Sequence, residues 1–153
     1  MKIIVIIDHW FPSIGGGPVH VGEILSRVVK NKDTKITILT SNLQLYKSTS
    51  LVDPYLQLNV IRLGPKGRFT HLSLRLQFLI NLFIYLLFHD FDAIHVHPFF
   101  PIPVAWVVCK VKRKPILVTI HGIGQDIRGL SVGASVLRFV NKIITFFYLK
   151  QYI

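Results

Sequence analysis

Cysteine is almost absent from this chain: Cys109 is the only one, which excludes an internal disulfide and suits a reducing compartment. Acidic residues are scarce as well. Seven Asp and Glu stand against eighteen Lys and Arg, and Glu23 is the sole glutamate. The formal charge of +11 and a sequence pI near 10.1 favour anionic partners such as acidic lipid headgroups, phosphorylated substrates or nucleic acid. No internal repeat or low-complexity tract breaks the chain. No signal peptide is legible, because the apolar start is interrupted by Asp8 and lacks a small-residue cleavage site, so the expected location is the cytoplasm. The longest apolar stretch, Leu72 to Phe88, is interrupted by Arg75, Gln77 and Asn81. Its unbroken part falls short of the roughly 20 residues a bilayer span needs, so a buried or interfacial amphipathic helix is expected instead.

Apolar residues are plentiful. They make up 51% of the 153 residues, with a mean hydropathy of +0.51, high enough that some apolar surface should meet a partner domain or a membrane. The length corresponds to about one domain. β-Branched apolar runs predict strands at Lys2 to Asp8, Lys35 to Thr40, Leu58 to Leu63, Ala93 to His97 and Ile116 to Ile120. Helical spacing predicts helices at Pro18 to Lys30, Leu72 to Phe88, Pro103 to Lys112 and about Leu130 to Lys150. Asn42 to Pro54 and the basic segment Gly64 to Thr70 read as irregular connections. Alternation of this kind predicts an α/β fold, a doubly wound Rossmann-like parallel sheet with ligands at the carboxyl ends of its strands.

The most informative segment is FPSIGGGPVHVGEIL, Phe11 to Leu25, where three consecutive glycines fall between a strand and a helix. Without Cβ atoms, Gly15, Gly16 and Gly17 let backbone N–H groups converge on a ligand, and the positive end of the following helix favours an anion. Pro18 fits the first helical position, which needs no N–H. A flexible turn serving only helix packing is the alternative. A dinucleotide fingerprint fits poorly, since Val19 and His20 stand where a third glycine belongs and the second strand ends in Thr40 and Ser41 rather than an acid. A Walker loop is excluded by the missing GK[ST] triplet.

Two further motifs follow, DAIHVH at Asp92 to His97 and PILVTIHG at Pro115 to Gly122, with Gly124, Asp126 and Ile127 continuing the second. Together with the strand, glycine loop and helix, they resemble the N-terminal domain of family 4 glycosyltransferases, retaining enzymes of the GT-B fold. The resemblance runs in order along nearly the whole chain, and between Leu43 and Ser73 only a strand matches. It implies transfer of a sugar from a nucleotide-sugar donor, bound between two Rossmann-like domains, to a glycan or lipid-linked acceptor. No cofactor and no metal are then required. It assigns Gly15, Gly16 and Gly17 to the diphosphate and acceptor, and His121, the catalytic candidate, to hydrogen bonding that orients the sugar. It also places His97, Gly122 and Asp126 at the substrate. A strand-capping His121 and a helix-capping Asp126 are the structural alternatives.

His95 and His97, two apart on one strand, share a face, and with His121 they could imitate a metal site. No carboxylate sits at ligand spacing, so a structural His95 is expected. The chain is expected to be a subfamily 4-like N-terminal domain, incomplete at its C-terminus, with the nucleotide-sugar-binding domain and its E-x7-E motif supplied elsewhere. Independent activity is therefore not expected. The competing reading is a noncatalytic, membrane-associated subunit that presents an acceptor, since Lys66, Arg68 and Arg75 lie beside the apolar Phe78 to Phe88 segment. Its place would be peripheral, at the inner face of the cell membrane. Nucleic acid is not expected as a partner, because Phe146, Phe147 and Tyr148 follow a helical pattern rather than interleaving with cations on a strand.

Overall fold

A computed structural model describes residues 1–11, 16–29, 33–44, 55, 57–68, 71–97 and 100–119, all within the first of two compact units, Met1–Thr119. The described elements run β1 (Lys2–Ile7), α1 (Gly16–Val28), β2 (Lys35–Gln44), β3 (Asn59–Arg68), α2 (Leu72–Phe88), β4 (Ala93–Val96), α3 (Ile102–Lys112) and β5 (Ile116–Val118). The strands form a five-stranded parallel sheet ordered β3-β2-β1-β4-β5. The chain travels outward from β1 to β3 and then returns past β1 to β4. The carboxyl ends of β1 and β4 therefore flank the point where strand order reverses, and an open α/β sheet places its crevice there.

Strand alternation sorts the core into two layers. Val5 and Ile7 of β1 are in register with Ile38 and Thr40 of β2, and they pack with Val21 and Leu25 of α1 under Trp10, Phe11, Tyr55 and Leu58. Ile4 and Ile6, in register with Thr37 and Leu39 on one side and Ile94 and Val96 on the other, serve the opposite face. There α2 lies against β2 and β3, burying Phe78, Leu82 and Leu86 at successive four-residue steps. Helix α3 lies against β4 and β5, burying Ile102, Ala105, Val108 and Cys109. A strand set covered on both faces explains the near-continuous apolar sequence of β1 and β2. Among the described residues no helix is long and apolar enough to cross a membrane.

Three expectations need correction: that Asn42 to Pro54 and Gly64 to Thr70 are irregular throughout, and that Pro18 opens α1. The basic segment from Gly64 is not a connector as far as Arg68, because β3 continues to that residue and pairs with a β2 that extends to Gln44 past an irregularity between Ser41 and Leu43. Pro65 is tolerated because β3 is an edge strand, and Gly64 takes a left-handed backbone, φ 82°, where the backbone of Phe78 approaches. At Gly67, a Cβ would meet the end of the Leu74 side chain, so this turn-like glycine sits where β3 and α2 pack closely. Helix α1 begins at Gly16, making Pro18 its third residue rather than its first. Proline still costs nothing there, since the N–H groups of a helix's opening residues have no intrahelical partner. The expected helix from about Leu130 to Lys150 lies outside the described residues.

Candidate functional site

The carboxyl edge of the sheet gathers Asp8 and His9 after β1, Thr40 and Ser41 on β2, His97 after β4 and Thr119 after β5. Helix α1 starts toward this edge because it follows β1. Its first turn opens on Gly16 and Gly17 and holds no acidic residue, while Arg27 occupies the last turn. No acidic side chain of that first turn offsets the positive end of the helix dipole. Gly15, His121, Gly122 and Asp126 lie outside the described residues.

The approach to α1 is held by an aromatic clasp. Trp10, Phe11 and Tyr55 pack edge-on or tilted, with centroids 5.6 to 6.1 Å apart. The Tyr55 hydroxyl donates to Glu23 Oε1 at 3.0 Å, with the Val19 carbonyl 3.3 Å away, so the only glutamate of the chain serves to pin Tyr55 on α1. Gly22 makes room for that ring: a Cβ there would overlap the Tyr55 side chain. On the other side, the Arg62 guanidinium donates to the Phe11 carbonyl. Segments 10–11 and 16–23 are thereby fixed from β3 and from Tyr55.

At the other side of the switch point, His97 is buried and its backbone N–H donates to the Ile6 carbonyl at 2.8 Å, continuing the β1–β4 ladder. Its ring centroid stands 4.0 Å from that of His95, tilted by 43°. His95 Nε2 lies 2.8 Å from the Thr119 hydroxyl. His95 thus joins β4 to the end of β5, a structural partner for the position expected to be structural. Among the described residues no group of three His, Cys, Asp or Glu side chains could hold a metal ion.

In the sequence Asp8 only interrupts an apolar run, yet in the fold it is the buried carboxyl of the site. Ser41 fixes its backbone, donating from both its hydroxyl and its N–H to the Asp8 carbonyl. The Asp8 side chain itself is buried, and its Oδ1 has no hydrogen-bond partner; Thr40 Oγ1 on the next strand is in the same condition. Burial raises the Asp8 pKa to about 7, opposed by the positive charge of Arg75. Arg75 reaches inward from α2, its guanidinium 4.0 Å from the centroid of the Phe100 ring, and burial pulls its own pKa down while Asp8 acts to raise it. Arg75 was expected among the surface cations beside the apolar helix; it is half-buried at the site edge instead. Burial also lowers the pKa of neighbouring His9. A carboxyl that titrates near neutrality can donate a hydrogen bond in one form and accept two in the other. Its legible signal was position, since a charged residue ending a buried strand beside a glycine loop lies at the carboxyl edge.

A parallel sheet with this strand order, a glycine-opened helix at the switch point and a histidine on the neighbouring strand end define a Rossmann-like α/β domain. The family model for glycosyltransferase family 4 matches residues 14–150, and the chain belongs to that family. Among solved structures, the calicheamicin glycosyltransferase CalG4 superposes with a TM-score of 0.53 at 12% identity, covering 91% of this chain and 37% of that one. The C-terminal domain of a hydrogenase from Pyrococcus furiosus superposes with a TM-score of 0.52 at 15% identity, covering 77% of this chain and 90% of that one. At such identities both likenesses concern the fold alone. No curated protein matches the sequence.

Proposed function

We propose that the chain is the acceptor-side half of a glycosyltransferase that moves a sugar from a nucleotide-sugar donor to a glycan or lipid-linked acceptor. The observation that carries this reading is the start of α1 at Gly16 and Gly17, directed at the β1–β4 switch point in a chain of family 4. Backbone donors and the helix dipole there would stabilise the charge that grows on the leaving diphosphate. His121 would hydrogen-bond a sugar hydroxyl and orient the ring, with Gly15, His97, Gly122 and Asp126 contacting substrate. Asp8, buried at the carboxyl edge of the sheet, and Arg75, whose charge acts on it, are added to this set of candidates.

In this reading the donor half of the site is supplied by a C-terminal GT-B domain, in the same polypeptide or in a partner chain, and transfer needs both halves. No cofactor beyond the donor and no nucleic-acid partner enter this reading, and the setting is the cytoplasmic face of the cell membrane, where polysaccharide or glycolipid precursors are assembled. A second reading, a noncatalytic subunit that presents a lipid-linked acceptor, draws on the exposed apolar residues of α2, Leu76 and Ile80 among them. Calorimetric titration of the chain with UDP-, GDP- and ADP-sugars, repeated after fusion to a family 4 C-terminal half, tests the proposal. Weak binding that becomes tight and productive on fusion is expected. Micromolar binding by the chain alone would contradict the division of the site between two domains.

A further inference from the structure

Helix α2 has two apolar faces, and the sheet uses only one. Phe78, Leu82 and Leu86 are buried. The row Leu72, Leu76, Ile80, Ile84 and Phe88, also at four-residue steps, stays exposed, with Ile80 at 58% and Phe88 at 81%. An exposed row of this length runs along about 25 Å of helix. Helix α3, which packs beside α2, adds Val107 and Val111, the latter 68% exposed. Scattered exposed apolar residues are ordinary, but a continuous face shared by two neighbouring helices is a contact surface.

The charges around this face are predominantly positive, with Asp90 and Asp92 the only acidic residues near it among the described residues. Neither helix contains an Asp or Glu, and the only outward polar groups of α2 are uncharged, such as Ser73, Gln77 and Asn81. The C-terminal ends of both helices meet at a cationic rim. Lys112 donates to the His89 carbonyl just beyond α2 at 2.8 Å, and Lys110, Arg113 and Lys114 are exposed beside it. The nearby Asp92 carboxylate is engaged by the Lys2 N–H at 2.7 Å, and Lys114, the N-terminal amine and Lys2 surround it. From Asn59 to Thr119 the sequence carries eight Lys and Arg against two Asp.

From this pairing of an apolar ridge with a cationic rim, we infer that the outer face of α2 and α3 is a docking surface for an anionic lipid bilayer, with the ridge lying in the headgroup boundary and the rim on the headgroups. A second copy of the chain fits less well, because it would bring another cationic rim to a face whose helices offer no carboxylate. A C-terminal domain that closed on the carboxyl edge of the sheet, as the proposed function has it, would leave this face free, since the rim lies at the opposite, amino edge. The inference gives a surface to the peripheral location proposed above, yet it is independent of the sugar chemistry: transfer to a soluble acceptor can persist where vesicle binding fails, and the reverse.

Flotation of the chain with phosphatidylcholine vesicles, with and without phosphatidylglycerol, tests it. The wild-type chain should float only with the anionic vesicles, and less so at high salt. Ile80→Gln with Ile84→Gln should weaken flotation roughly tenfold or more, and Lys110→Gln with Lys114→Gln should weaken it and flatten the salt dependence, with circular dichroism unchanged in both because all four side chains are exposed. Equal flotation of wild type and the isoleucine variant, or no flotation of wild type with anionic vesicles, would overturn the inference. A wild-type dimer that the isoleucine variant dissociates, without vesicle binding, would assign the face to a second copy and overturn it equally.

Discussion

His95 on β4 and Thr119 at the end of β5 meet side chain to side chain at 2.8 Å, one step beyond the last ladder pair between those strands, Val96 with Val118. The bond ties β5, the outermost described strand on that side, to β4 at the carboxyl edge of the sheet. Thr119→Val keeps the volume and the β-branch but removes the hydroxyl. It should cost about 1 kcal/mol, read as a lower urea midpoint with an unchanged slope. An unmoved midpoint would show that the contact contributes nothing to stability.

Asp8 sets a pH dependence of definite sign. Its folded pKa of about 7 lies above the ordinary 3.8, so the folded state holds more protons than the unfolded state between those values. Stability contributed by the neutral carboxyl is complete below about pH 4 and is lost as pH rises toward 7. Arg75 is the facing charge that limits the shift, and His9, whose pKa is lowered by burial, loses stability in the opposite direction as pH falls. Asp8→Asn should remove the acid-side gain and stabilise the chain at pH 8 by about 1 to 3 kcal/mol, because an uncharged amide replaces a buried carboxylate. Denaturation of both proteins from pH 4 to 8 isolates the contribution of Asp8; parallel curves would mean that Asp8 is solvated or paired.

Gly22→Ala puts a methyl group into the Tyr55 ring. Overpacking of this kind should cost about 1 to 3 kcal/mol despite the better helix propensity of alanine. Tyr55→Leu removes both the clash and the bond to Glu23, so the double variant should lose less than the sum of the single losses. Additive losses would show that the two positions do not touch.

Gly16→Val tests the anion-binding reading in an enzyme completed by a C-terminal half. A branched side chain on the first residue of α1 would occupy the space of the bound phosphate, so transfer should be abolished while circular dichroism persists. His121→Ala should lower kcat/KM by the equivalent of about 1 to 3 kcal/mol, the scale of one orienting hydrogen bond. Full activity in Gly16→Val would reject the cradle; unfolding of both variants would assign these residues to structure.

The sequence made the alternating layout legible because buried strands and long helices advertise themselves by period. Leu72 to Phe88 has the same bounds in both readings, set off by the turn-rich GPKGRFT before it and HD after it. The tail of β3 was hidden because glycine and proline signal turns locally, whereas here Gly67 meets a Leu74 side chain that arrives from the next element. Gly16, Gly17 and His97 could be placed at the carboxyl edge from their motifs. Asp8 and Arg75 could not be joined that way, since one ends a strand and the other begins a helix far along the chain, and only the fold makes them neighbours. The inward turn of Arg75 is a tertiary choice, made where Phe100 offers a ring face and Asp8 a compensating charge.

The strand order also dictates a schedule of assembly. Ile3 pairs with Ile36 on one side and with Ala93 on the other, so the first strand to be synthesised waits for 90 further residues before its second edge is covered. At roughly 5 to 20 residues per second, that edge of an almost wholly apolar strand stays open for several seconds on the ribosome. The centre of the sheet is thus the part completed late, and any nascent chain halted before β4 presents a bare parallel edge to whatever lies nearby.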